Sequence, residues 1–261
     1  MTVSTEGTAS STAERRAGRE LLLESVFRPL ANLFVPLLRW AKVPPPVVVL
    51  ANATVGLAAA FALARGDLIA AAAVLQLKTL LDNLDGQLAR ASGQVTLAGR
   101  YLDTLADLLV NAALFAALGY VTGQPFLAAA SFVALTLVLA VDFNVTELYR
   151  DAHEIPNPQP PATGRTAERV LRSLYAALFA PLDRGVRAFA AWRFHGHEGY
   201  DGVTVTFLVN LGLTTQLVVL GLCLLLGAPV AYLWFALACL VALVPLQLHA
   251  ERRSRAAVAS S

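Results

Sequence analysis

Four aspartates, at residues 82, 85, 103 and 107, stand in the stretch LLDNLDGQLARASGQVTLAGRYLDTLAD, which apolar sequence flanks on both sides. Asp82, Asp85, Gly86 and Ala89 fall at i, i+3, i+4 and i+7, one face of a helix. Gly99, Asp103 and Asp107, at i, i+4 and i+8, share one face of the next. The turn ASGQVT reverses the chain, so the two faces can meet, and Gly86 and Gly99 let a ligand or a second backbone come close. Carboxylates massed at membrane depth repel one another and lose hydration, each at about 2.5–3.5 kcal/mol at a span centre. Lys78, Arg90 and Arg100 can pair with some of them, but one or two divalent cations offset the cost better. Donors that are all oxygen select hard ions such as Mg²⁺ or Mn²⁺, which bind through a few carboxylates plus substrate phosphates. An arginine beside them completes a clamp for a phosphate or pyrophosphate. The pattern predicts a metal-dependent phosphoryl-transfer site. A solvated polar helix end would explain one or two acids, but not four in register with two glycines and Arg90.

The elements that carry these residues belong to a membrane protein. Of 261 residues 57% are hydrophobic and only 15% charged, and the apolar ones gather into runs long enough to cross a bilayer. Six spans are expected, at about 46–64, 68–90, 97–118, 124–145, 203–226 and 229–248, giving an all-α integral membrane protein. The short turns within 46–118 predict that the first three helices are antiparallel neighbours. Of the 20 basic residues, all but Arg65 and Lys78 fall on one side of this arrangement, so both termini and the acid stretch are expected to face the cytoplasm.

Outside the spans, residues 1–18 are small and polar and read as a disordered tail with no cleaved signal peptide. Residues 19–43 mix Phe27, Phe34 and Trp40 with Arg28, Arg39 and Lys42 and read as an amphipathic helix at the interface, broken by Pro29 and Pro36. The six-helix domain occupies 44–250 with a cytoplasmic insertion at 149–202. Within the insertion, a proline-rich linker precedes a second arginine-bearing stretch at 164–194, read either as interfacial or as a surface helix packed on its own protein. A basic tail follows at 251–261. Cys223 and Cys239 lie in apolar runs and read as reduced thiols, and the net charge of +2 argues against a nucleic-acid partner. His195 and His197 lack further ligands nearby and read as loop residues. Asp142 and Asn144 are better placed to face the bundle than lipid.

The spacing D-x₂-D-G-x₂-A-R-x₈-G-x₃-D-x₃-D is met by Asp82, Asp85, Gly86, Ala89, Arg90, Gly99, Asp103 and Asp107. In this the chain resembles the CDP-alcohol phosphotransferase family, integral membrane enzymes with six spans that join lipid headgroups to lipid backbones. The resemblance implies that Asp82, Asp85 and Asp103 ligate two ions of Mg²⁺ or Mn²⁺, with Asp107 beside them as ligand or general base. Gly86, Ala89, Arg90 and Gly99 would shape the CDP pocket, Arg90 reaching the diphosphate. The implied reaction is attack of an alcohol hydroxyl on the β-phosphorus of CDP-diacylglycerol or a similar CDP-linked lipid, with CMP leaving. The resemblance also implies a homodimer, in the inner or cell membrane.

The acceptor is less defined. Tyr149, Arg150 and Lys78 are candidates to bind it, against the alternatives that Arg150 snorkels to headgroups and that Lys78 pairs with Asp82. Serine, glycerol phosphate and inositol-type alcohols all fit the pattern. Two other classes compete. A membrane prenyltransferase also holds a diphosphate with Mg²⁺, but lacks the Gly-x₂-Ala-Arg and Gly-x₃-Asp-x₃-Asp elements. A cation or proton transporter would spread its acids along the membrane normal, whereas these lie toward one face.

Overall fold

The computed structural model describes residues 18–156, 160, 162, 164–194 and 199–260, with side chains to residue 254. The expected tail therefore lies outside it except for Gly18, as do His195 and His197. The described chain is helical throughout: α1 (Arg28–Trp40), α2 (Pro45–Ala64), α3 (Leu68–Ala91), α4 (Leu97–Thr122), α5 (Pro125–Ala152), α6 (Thr166–Phe194), α7 (Gly202–Val209), α8 (Leu213–Leu225) and α9 (Pro229–Ser260). Helices satisfy every backbone polar group within the segment, which a chain in hydrocarbon must do.

Four helices, α2, α4, α5 and α9, are long and apolar enough to cross a membrane, and α7 with α8, bent by 42°, makes a fifth candidate. The second expected span, α3, is long enough but carries Lys78, Asp82, Asp85 and Arg90, so composition alone does not qualify it. The fifth expected span is not continuous. It breaks at Asn210–Gly212, where the Asn210 side chain replaces the lost ladder. Its amide donates to the carbonyls of Thr206 (2.7 Å) and Arg19 (2.6 Å), and its oxygen accepts from the Leu21 amide (2.9 Å). Broken backbone in a membrane protein is tolerated where other groups re-satisfy it in this way.

The amino-terminal helix departs from expectation too. Prolines at 29 and 36 do not break it: the segment is helical through Trp40, with a π-turn over Leu23–Phe27 just before α1. The π-turn stands directly before Pro29, a place where the regular ladder is already altered, and Pro36 is carried within the helix. Ala31 and Val35, one turn apart, bury against Leu84 and Leu88 of α3 and Val48 of α2, so α1 braces the charged end of α3. Leu33 and Trp40 are exposed on its outer side.

α2 is the hub. Both α3 and α4 pack along it, while the backbones of α3 and α4 approach each other only sparsely. The expected antiparallel neighbours are thus two helices mounted on a third, and α3 and α4 meet through side chains such as Lys78 and Asp107. One main core joins Ala59 and Leu63 of α2, Leu75 of α3, Val110, Leu114 and Leu118 of α4, and Leu217, Leu220 and Leu224 of α8. It fills the half of the bundle away from the acids.

The insertion supplies α6, whose inner side docks on α4 and α5. Asn144 of α5 is fully buried; its amide donates to Asp183 Oδ1 (2.7 Å) and its oxygen accepts from Arg187 Nε (3.1 Å). Tyr175 donates to Asp183 Oδ2 (3.3 Å) and packs its ring 5.1 Å from that of Tyr101 on α4. Partial burial beside Asp183 pushes the Tyr175 hydroxyl up to about 12. The outer side of α6 leaves Val170, Leu174, Leu178 and Trp192 exposed.

Candidate metal centre

Local signals set the ends that carry the acids. α3 stops at Ala91 because Gly93 turns left-handed (φ 65°) and the Gln94 amide reaches back to the Ala89 carbonyl (2.9 Å), the closing bond of a Schellman turn. α4 starts at Leu97 because the Thr96 hydroxyl accepts from the Gly99 amide (3.0 Å). Between these caps the chain reverses within a few residues, and the acid-bearing faces turn toward each other.

One carboxylate oxygen from each of Asp82, Asp85 and Asp103 lies within 4.8 Å of the others. Asp85 Oδ2 and Asp103 Oδ1 are buried and accept no hydrogen bond. Buried oxygens without donors are costly, and three like charges at this separation compound the cost. A hard divalent cation removes both penalties at once, and an all-carboxylate donor set matches Mg²⁺ or Mn²⁺. These residues fit such an ion.

Asp107 is engaged differently. Lys78, with no exposed surface, places Nζ 2.7 Å from Asp107 Oδ1 and 3.2 Å from Asp82 Oδ1. Asp82 Oδ1 also accepts from the Asn52 amide of α2 at 2.9 Å. The Lys78 stem passes Gly56 of α2: a Cβ there would lie 3.3 Å from Lys78 Cγ and 2.5 Å from Val110 Cγ1. Gly86 gives room to Arg90 in the same manner, since a Cβ at Gly86 would meet the guanidinium at 3.3 Å. Arg90, exposed overall, therefore folds back along the face that carries Asp82 and Asp85.

Arg150 and Tyr149 have partners of their own near the end of α5. The described interactions join Arg150 to Glu147 (3.4 Å) and stack Tyr149 on His153 (4.0 Å between centroids), and the Tyr149 hydroxyl lies against Gly202 at the start of α7. Nothing described links either to the acids. Two contributors went unread in the sequence. Asn52 supplies a donor from α2, and its only signal is a polar residue on an otherwise apolar helix. Glu20, just before the amino-terminal helix, sits among Thr214, Asp142, Asp82 and Arg28. Burial pushes its carboxyl up to about 7; the Thr214 hydrogen bond opposes this, and the charges of Asp142 and Asp82 add to it.

An all-helical, multi-pass membrane protein with three carboxylates that could hold a cation, between two helices on a common support, is the class that fold and site define. A family model described as CDP-alcohol phosphatidyltransferase matches residues 42–244. The chain belongs to the CDP-alcohol phosphatidyltransferase family, transferases of phospholipid biosynthesis that use divalent metals. The match takes in α2 to α8 and most of the apolar part of α9. Neither a curated protein nor a solved structure matches the chain.

Proposed function

We propose that this enzyme transfers a phosphatidyl group from CDP-diacylglycerol, or a similar CDP-linked lipid, to a small alcohol and releases CMP. The observation that carries the reading is the set of orphaned carboxylate oxygens on Asp85 and Asp103 beside Asp82, with Arg90 folded along the same face. Asp82, Asp85 and Asp103 hold the divalent cation, Mg²⁺ or Mn²⁺. When bound, that ion neutralises phosphate charge and acidifies a hydroxyl. Gly86, Ala89, Arg90 and Gly99 shape the CDP pocket, and Arg90 binds the diphosphate. The acceptor oxygen forms a bond to the β-phosphorus while the bond from that phosphorus to the CMP oxygen breaks, and CMP carries the electron pair away. The hydroxyl proton passes to Asp107, whose Oδ1 is already held by Lys78, leaving Oδ2 as the basic atom.

In this reading α3 spans the membrane with α2, α4, α5, the α7–α8 pair and α9, giving six crossings, and the acids and both termini face the cytoplasm. The segment at 19–43 lies at the interface, 44–250 forms the catalytic domain with its insertion at 149–202, and two copies associate. Arg150 and Tyr149 are the candidate acceptor contacts. The test is to incubate purified enzyme with Mg²⁺ or Mn²⁺, CDP-diacylglycerol and a panel of alcohols, following CMP. Release that depends on both the ion and an alcohol supports the reading; pyrophosphate release from a prenyl donor instead would replace it. Asp107→Asn with near-normal turnover would remove the base assignment.

A further inference from the structure

We propose that Lys78 is a built-in cation of the site. Its ammonium stands where a second divalent ion would bind, and this chain takes one ion rather than two. The proposal rests on the metal-dependent reading above and narrows it.

The acids divide into two groups by their partners. Asp82, Asp85 and Asp103 present oxygens within 4.8 Å of one another, two of them without a hydrogen bond. Asp107 is not one of that trio, and its Oδ1 is held by Lys78 at 2.7 Å. The oxygen through which Asp82 faces Lys78 also accepts from Asn52, so it has two donors before any ion arrives. Lys78 and Asn52 already hold Oδ1 of Asp82, and Lys78 holds Oδ1 of Asp107, so a second divalent ion shared by the two would be left with their Oδ2 atoms. It would also sit beside a positive charge in a medium that screens poorly.

Lys78 has little freedom to yield. Its side chain is fully buried, and its stem runs against the bare face of Gly56, which Val110 approaches as well. A buried ammonium is tolerated only when paired, and the pairing acids here come from α3 and α4 together. Asn52 and Gly56, one turn apart on α2, thus form a cradle that fixes where the charge stands.

The test is an ion count with no turnover. Mn²⁺ is titrated into purified, nucleotide-free protein in lipid nanodiscs, and bound ion is measured by electron paramagnetic resonance. The wild-type chain is expected to bind one Mn²⁺, and Lys78→Met, neutral and of similar length, two. Lys78→Arg, which keeps the charge, is expected to stay at one. Two ions in the wild type, two in Lys78→Arg, or one in Lys78→Met would overturn the proposal while leaving the metal-dependent reading in place. No ion bound to the wild type would overturn that reading itself.

Discussion

Two of the polar clusters among the described residues, one at α5 and α6 and one at α3 and α4, differ in what they leave unsatisfied. Where α6 meets α5, Asn144, Asp183, Arg187 and Tyr175 give each carboxylate and amide oxygen a donor. Between α3 and α4, Asp85 and Asp103 each keep a buried oxygen without one. Both clusters place aspartates on helices, so residue type does not separate them. The separation lies in closure. A network that satisfies itself positions an element, whereas one that ends in several bare carboxylate oxygens side by side can take a partner from outside the chain.

Substitution at the open cluster should give the largest effect. Asp85→Asn or Asp103→Asn removes a ligand and should lower CMP release by about 100-fold or more, since losing even an outer-shell partner costs ~10–100-fold. The same variants should melt no lower than the wild type without metal, because they relieve like-charge repulsion. A large drop in metal-free melting temperature would place these acids with the structural cluster instead.

The closed cluster should respond in the opposite sense. Asn144→Leu strands Asp183 and Arg187 and should cost about 1–3 kcal/mol of stability. That loss is read as a lower melting temperature, with Mn²⁺ binding at the acid trio unchanged. Loss of Mn²⁺ binding at full stability would erase the distinction. Gly56→Ala tests the support under Lys78. Its Cβ would overlap Val110 and crowd Lys78, for a net cost of about 1–2 kcal/mol once the better helix propensity of alanine is counted. Little change in melting would mean that the α2–α4 contact is softer than the geometry implies.

The smallest effect lies at neither cluster and calibrates both. Asp201 caps α7. Partial burial pushes its carboxyl up, but hydrogen bonds from the Thr204 hydroxyl and amide outweigh this and hold it below the usual carboxylate range. A carboxyl lowered on folding stabilises above its unfolded pKa of about 3.9, and that stability is lost as pH falls through the folded value. Asp201→Ala should therefore cost about 0.5 kcal/mol near neutrality, the low end for an exposed cap. The gap to wild type should close below pH ~4, as read from melting curves across that range.

The sequence carried the open cluster further than the closed one, for a physical reason. Asp82, Asp85, Asp103 and Asp107 sit on two adjacent helices, so helical spacing and one short turn bring them together. Asn144 and Asp183 lie 39 positions apart across a linker, and no local period ties them. Lys78 was ambiguous because what fixes it, Asn52 and Gly56, belongs to another helix. The α7–α8 break was hidden by its own context. Asn210 and Gly212 are single residues in a long apolar run, and a continuous span absorbs such residues unless their partners are known. Those partners, Arg19 and Leu21, are far away in the chain.

That last contact bears on how the molecule is made. A ribosome delivers Arg19 and Leu21 early, yet the asparagine that receives Leu21 emerges 189 positions later. Residues 19–21 must wait for this partner while α2 to α6 are inserted, although α1 itself can already pack on α2 and α3. The contact between residues 19–21 and Asn210 thus closes only after α2 to α6 have been made.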